Sequence, residues 1–201
     1  MITYQNRPYQ LQIRSPVLLQ AYVLFMSVCI CFQSWSFWFT DDNKSAANYE
    51  DRVHEIRKFS TMEEFWSIYS HMKRLGQLPI GSDYHLFSEG VRPMWEDPEN
   101  KVGGKWLIRL KKNVIQILWE RLLLAVVGNQ FAEDDAITGC VASVRGGEDV
   151  ISVWNKNARD NEAKERIREM LIQVLKIPKD TLMEYREHDA SLHHLKDNIK
   201  Q

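Results

Sequence analysis

The residues with the clearest chemical purpose lie between Gly90 and Trp106. They read Gly90-Val91-Arg92-Pro93-Met94-Trp95-Glu96-Asp97, then Asn100-Lys101-Val102-Gly103-Gly104-Lys105-Trp106. Trp95 offers a wide π face, and Glu96 beside it offers a carboxylate with two acceptor oxygens. A planar heterocycle with adjacent N–H donors, such as guanine with its N1–H and N2–H2, satisfies both. If that base also carried positive charge, the indole face would attract it electrostatically.

Several elements must position this loop. Asp83 to Phe87 reads as a strand before it and Trp106 to Leu110 as a strand after it. Ser60-Thr61-Met62-Glu63-Glu64 is a helix start, with Thr61 and Glu64 spaced for a capping box. Met62, Phe65, Trp66, Tyr69 and Met72 then recur at helical spacing as one apolar face, closed by the breakers at 75–81. A second helix over Val114 to Val127 is apolar around most of its girth, with only Gln116, Glu120 and Arg121 strongly polar. Such a helix is either buried on several sides or shares its outer side with a partner.

Ile137 to Arg145 and Asp149 to Trp154 form a hairpin around Gly146-Gly147. Its alternation puts Val150, Ser152 and Trp154 on one face, with Ile151 and Val153 on the other. Arg145 stands at the strand end beside the turn. A charged amphipathic helix over Asp160 to Leu175 is stopped by Pro178, and Thr181 to Arg186 suggests a last strand. Between a polar loop at 41–48 and a short strand pattern at Val53, Ile56 and Phe59 sits Tyr49, which on its own reads as a loop tyrosine packing locally.

Met94-Trp95-Glu96-Asp97 with Gly103-Gly104-Lys105-Trp106 resembles the signature of the eukaryotic initiation factor 4E family, which binds the 7-methylguanosine cap of mRNA. The likeness continues through Lys58-Phe59, Glu64-Phe65-Trp66, Asp83-Tyr84-His85-Leu86-Phe87, Trp119, Gly139-Cys140-Val141, Val144-Arg145 and Ser152-Val153-Trp154-Asn155-Lys156, over roughly residues 36–190. It implies an α+β fold, a curved, mostly antiparallel sheet with three helices on its convex face. It also implies a cap site in which Tyr49 and Trp95 sandwich the methylated guanine and Glu96 accepts its N–H donors. Arg145 and Lys105 would reach the phosphate chain, and Trp154 would lie against the N7-methyl group, with a plain core tryptophan as the alternative.

The tyrosine at position 49, where the classical factor has tryptophan, is similar to the 4E homologous protein (type 2) branch. The classical factor also has a lysine at the Gly147 position and another near Val150. Their absence, with the poorer π face of tyrosine, implies weaker cap affinity. Met62, Trp66, Leu124 and Val127 match the surface that receives a Tyr-x-x-x-x-Leu-Φ helix of a 4G-type scaffold or a 4E-binding repressor, the helix-in-groove mode. Activator and repressor of translation are both compatible with these residues.

Composition narrows the alternatives. The 201 residues suit one globular domain, and the net charge of −1 supplies no broad basic field for gripping long nucleic acid, so RNA recognition should be local. Three cysteines, Cys29, Cys31 and Cys140, form neither a disulfide framework nor a metal spacing, and a reducing, cytoplasmic setting is expected. The chain lacks a Walker-type loop, a nucleophile elbow and a ligand cluster; His193 and His194 are adjacent and suit no metal pair. Neither catalysis, a cofactor nor a metal is expected. The chief alternative is an interaction module of the same fold with weak or lost cap binding.

Residues 1–35 form an atypical N-terminal segment. Its apolar run at 17–32 falls short of the ~20 residues of a membrane span unless it continues to Phe39, and it lacks a convincing cleavage site. It reads as an insert or mis-joined coding segment, a signal anchor, or a buried native element, and a membrane partner is not expected. Residues 36–190 are the cap-binding domain and 191–201 a flexible tail.

Overall fold

The structure, a computed structural model, describes residues 30–43, 45, 48–131 and 137–188. Two compact units divide the chain, Met1–Ile30 and Cys31–Gln201, and the second carries the sheet and the helices. Most of the apolar run at 17–32, the tail at 191–201 and the paired histidines lie outside the described residues. Ile30 to Phe32 do not: they are already strand backbone. No helix among the described residues is long and apolar enough to cross a membrane.

Seven strands make one curved sheet: β1 (Ile30–Thr40), β2 (Val53–Thr61), β3 (Asp83–Ser88), β4 (Gly104–Leu110), β5 (Ile137–Ser143), β6 (Asp149–Asn155) and β7 (Met183–Glu187). Their spatial order is β2-β1-β3-β5-β6-β4-β7. The pairings β1–β3, β3–β5, β5–β6, β6–β4 and β4–β7 are antiparallel. Three helices, α1 (Met62–Tyr69), α2 (Ile115–Val127) and α3 (Asn161–Leu175), cover one face.

Alternation along the strands sorts residues between the two faces. Phe37, Leu86, Cys140, Ile151 and Ile108 pack with Leu122, Leu123 and Leu171 in the main core. Phe87, Val91, Val141 and Trp154 form a smaller cluster on the other face, with Trp38 and Trp95 against it. Val150, Ser152 and Trp154 do share a face opposite Ile151 and Val153, as the hairpin pattern predicts.

Local chemistry sets the helix ends. The Thr61 hydroxyl accepts from the Glu64 amide at 3.2 Å, but the Glu64 carboxylate takes the Ser60 amide at 2.8 Å, so the reciprocal half of the box lands one residue early. Asp160 caps α3 by accepting from the Ala163 amide at 2.9 Å, and Lys176, at φ 54, ends it in the left-handed region. At the start of β4 the sheet closes too tightly for side chains. A Cβ at Gly103 would fall on the Asn155 carbonyl, and one at Gly104 on the Tyr185 ring and hydroxyl.

Candidate functional site

The connection between β3 and β4 holds Trp95 and Glu96 out over the concave face, and two polar side chains brace it. The Asp97 carboxylate accepts from the Arg92 amide and the Glu99 amide, each at 3.0 Å. The fully buried Asn100 donates through its amide to the carbonyls of Arg92 and Met94, both at 2.9 Å. Its own backbone carbonyl meets the His188 ring at 2.8 Å. Trp95 is thereby half-buried on a fixed turn, while Glu96 stays exposed, with no ion pair among the described residues.

Tyr49 precedes the short 3-10 turn Glu50–Arg52 and is 46% exposed. Burial raises its phenol pKa, and the neighbouring Thr40 hydroxyl pulls the other way. The Thr40 hydroxyl lies 2.7 Å from Nε2 of His85. His85 is 2% exposed, and desolvation pushes its pKa down to about 4, keeping the imidazole neutral. An ion pair of 3.6 Å between Arg92 and Glu50 joins the Trp95 loop to the Tyr49 turn.

All six residues expected at the site line one pocket of about 820 Å³: Tyr49, Trp95, Glu96, Lys105, Arg145 and Trp154. Lys105 leans from β4 over two indoles, its ammonium 4.9 Å from the Trp154 ring and 5.6 Å from the Trp95 ring. Burial and the neighbouring Arg186 guanidinium push its pKa down to about 8, with Arg145 adding to the effect and Asp83 opposing it. Arg145 is held by Asp83 at 2.8 Å. Trp154 lines the floor yet is only 4% exposed, set edge-on to Phe87 at 5.3 Å and against the His188 ring at 4.2 Å. It is a core tryptophan with one face on the pocket.

Sequence reasoning missed Thr40, His85, Asp83, Arg109 and Arg186, of which all but Thr40 line this pocket. A signal for three of them existed. Asp83 and His85 alternate with Tyr84 and Leu86, and Arg109 lies four residues from Lys105, on the same face of a strand. Nothing local marks Arg186, which faces Lys105 only through the β4–β7 register. Among the described residues no group of three His, Cys, Asp or Glu side chains is placed to hold a metal ion.

The four residues expected to meet a partner sit on the helical side but do not present equally. Trp66 on α1 is 43% exposed; Met62 and Leu124 are partly buried against the core. Val127 is buried, so it supports the surface from beneath. The girth of α2 divides the same way: Leu118, Trp119, Leu122 and Leu123 are buried and Ile117 is exposed.

The family model for eukaryotic initiation factor 4E matches residues 32–201. A rice relative, eukaryotic translation initiation factor NCBP, is 48% identical over 157 residues, spanning 77% of this chain and 69% of the relative. Eukaryotic translation initiation factor 4E-4 of Caenorhabditis elegans is 46% identical over 145 residues, 72% and 68% of the two chains. Among solved structures, eIF4E-3 of C. elegans, in complex with the 4E-binding protein Mextli and a cap analog, superposes with a TM-score of 0.79 at 37% identity. That likeness covers 82% of this chain and 95% of the other.

Proposed function

The chain belongs to the eukaryotic initiation factor 4E family, and we propose that it binds the 7-methylguanosine cap of mRNA and regulates translation initiation. NCBP is the plant form of the type 2 branch, the branch to which Tyr49 points. One observation carries the reading: Tyr49, Trp95, Glu96 and two cations converge on a single pocket large enough for a nucleotide.

The chemistry follows from the geometry. Methylation at N7 makes guanine cationic, so Tyr49 and Trp95 attract it through both faces, each contact contributing about 0.5–2 kcal/mol. Glu96 accepts N1–H and N2–H, with ~1.5–3 kcal/mol for a charged hydrogen bond. Trp154 backs the methyl group. Lys105, already seated on the two indoles, stands where the cationic ring must enter, so it swings towards the phosphates as the base arrives. Arg145 reaches the same phosphates from the opposite rim once it exchanges Asp83 for them. Trp66, with Met62 and Leu124, offers the apolar contact for a partner helix on the convex side, with Val127 beneath it. The protein acts in the cytoplasm as a binding factor, and capped RNA leaves the site unhydrolysed.

Intrinsic tryptophan fluorescence titrated with 7-methyl-GTP and then GTP tests this. The methylated nucleotide should quench and GTP should not, and Trp95→Ala should weaken the methylated ligand by about 2- to 30-fold with the far-UV dichroism unchanged. Equal quenching by both nucleotides would sink the cation–π reading. Silence towards both in a folded sample would leave an interaction module.

A further inference from the structure

The two long rims of the pocket differ in charge. On the hairpin side, Arg145 faces Asp83 and Glu148, and its guanidinium is engaged by Asp83 at 2.8 Å. On the other side, β4 turns Lys105 and Arg109 inward, and β7 sets Arg186 directly opposite Lys105. Among the described residues, Glu184 pairs with two of these three cations. Glu184 accepts two hydrogen bonds from Arg186, at 2.7 and 2.9 Å, and lies 4.0 Å from Arg109. The hairpin rim is thus net negative and the β4–β7 rim net positive.

We propose that the β4–β7 rim is an anion track for the phosphate groups of a capped ligand, in which Arg109 and Arg186 exchange Glu184 for phosphate oxygens. The proposal rests on the cap-binding reading and assigns the phosphate path within it. Three features support the assignment. First, Glu184 grips Arg186 through two parallel donors in a bidentate fork, an arrangement in which a guanidinium also takes a phosphate. Second, Arg109, Arg186 and Glu184 are all about half exposed, so exchanging one anion for another requires no unfolding and little desolvation.

Third, Lys105 and Arg186 are like charges in register on neighbouring strands, a repulsion that a phosphate between them would relieve. Beyond Arg145, which Asp83 engages, the hairpin adds no cation to the pocket among the described residues. Gly147 and Val150 carry no charge there, and Lys112 is spent on Asp149 at 2.6 Å. Phosphates of the triphosphate bridge and the first phosphodiester of the attached RNA share this chemistry.

Calorimetry on the full chain separates the outcomes, using 7-methylguanosine, 7-methyl-GTP, a capped dinucleotide with one phosphodiester, and inorganic tripolyphosphate. For Arg109→Ala/Arg186→Ala, the advantage of 7-methyl-GTP over 7-methylguanosine should shrink by about tenfold. Affinity for the nucleoside should stay unchanged. Glu184→Gln should shift the same ratio the other way by a few-fold. A deficit confined to the capped dinucleotide would place the RNA backbone on the track instead of the bridge. Equal losses for nucleoside and nucleotide, or none for any ligand, would overturn the proposal. Should the wild type ignore every methylated ligand, the cap reading fails on its own. Tripolyphosphate then decides the track: binding lost in the double variant upholds it, and no binding by the wild type ends it.

Discussion

The concave and convex faces are made by alternate residues of the same strands, yet they are built from different materials. The helix-covered face is a continuous apolar core in which Phe37, Leu86, Cys140, Ile151 and Ile108 are essentially inaccessible. The open face carries Asp83, His85, Lys105, Arg109, Ser152 and Arg186 around a small aromatic cluster. The first is held by dispersion and exclusion of water, which tolerate no gaps. The second is held by hydrogen bonds and charges, several of them provisional partners for a ligand. Stability therefore resides mainly on one side and recognition mainly on the other.

A cavity cut into the convex side challenges that division most severely. Leu122, fully buried on α2, changed to Ala should cost about 2–5 kcal/mol of folding free energy, read by urea denaturation. Its ligand affinity, measured on the fraction still folded, should be unchanged.

A pH titration should drive the two faces apart. The folded pKa of Lys105, about 8, lies below its ordinary 10.5. Between these values the unfolded chain binds more protons than the folded one, so stability rises with pH across that window. Affinity for a phosphate-bearing ligand should fall in the same window, because the ammonium that meets the phosphates is lost. The effect is moderate, since Lys105 is only partly buried. At the acid end the slope of stability has the same sign. His85 and His188 are held near 4, by burial above all, with the Asp83 carboxylate opposing this at His85 and Arg145 and Lys105 adding to it. Their contribution to stability is present above about 6.5 and is lost as pH falls from there towards 4. Denaturation midpoints and ligand titrations at matched pH check both limbs.

The mildest substitution asks whether the hydroxyl of Tyr49 matters. Thr40→Val removes the link between Tyr49 and His85 and should weaken cap-analogue binding by about fivefold, near one hydrogen bond. In a double-mutant cycle with Tyr49→Phe the losses should not add, because both substitutions break the same chain. Additive losses would mean that Thr40 does not act through Tyr49.

Much of this architecture is legible in the chain itself. Period-two alternation and helix caps are local, and each strand and helix read from them is present, though β4 begins two residues sooner, where the glycine pair lets the strands close. Trp95 and Glu96 stand out because an aromatic and an acid adjacent on a turn set a π face beside two acceptor oxygens. Trp154 marks the limit of pattern reading: core residue and pocket floor are posed as alternatives, and it is both. Val127 marks another, since helical spacing places it near Leu124 but cannot tell that its side chain points inward.

The elements, the face on which each strand residue lies, and the aromatic–acid loop all depend on neighbours within a few positions, so the linear chain settles them. Which charges meet is a tertiary outcome. Arg145 is engaged by Asp83, and Arg186 stands across from Lys105 with two helices and two strands between them in the chain. Those encounters are set by the order and register of strands far apart in sequence. The free energy of a charge depends on what lies within a few ångströms of it, wherever in the chain that neighbour originates.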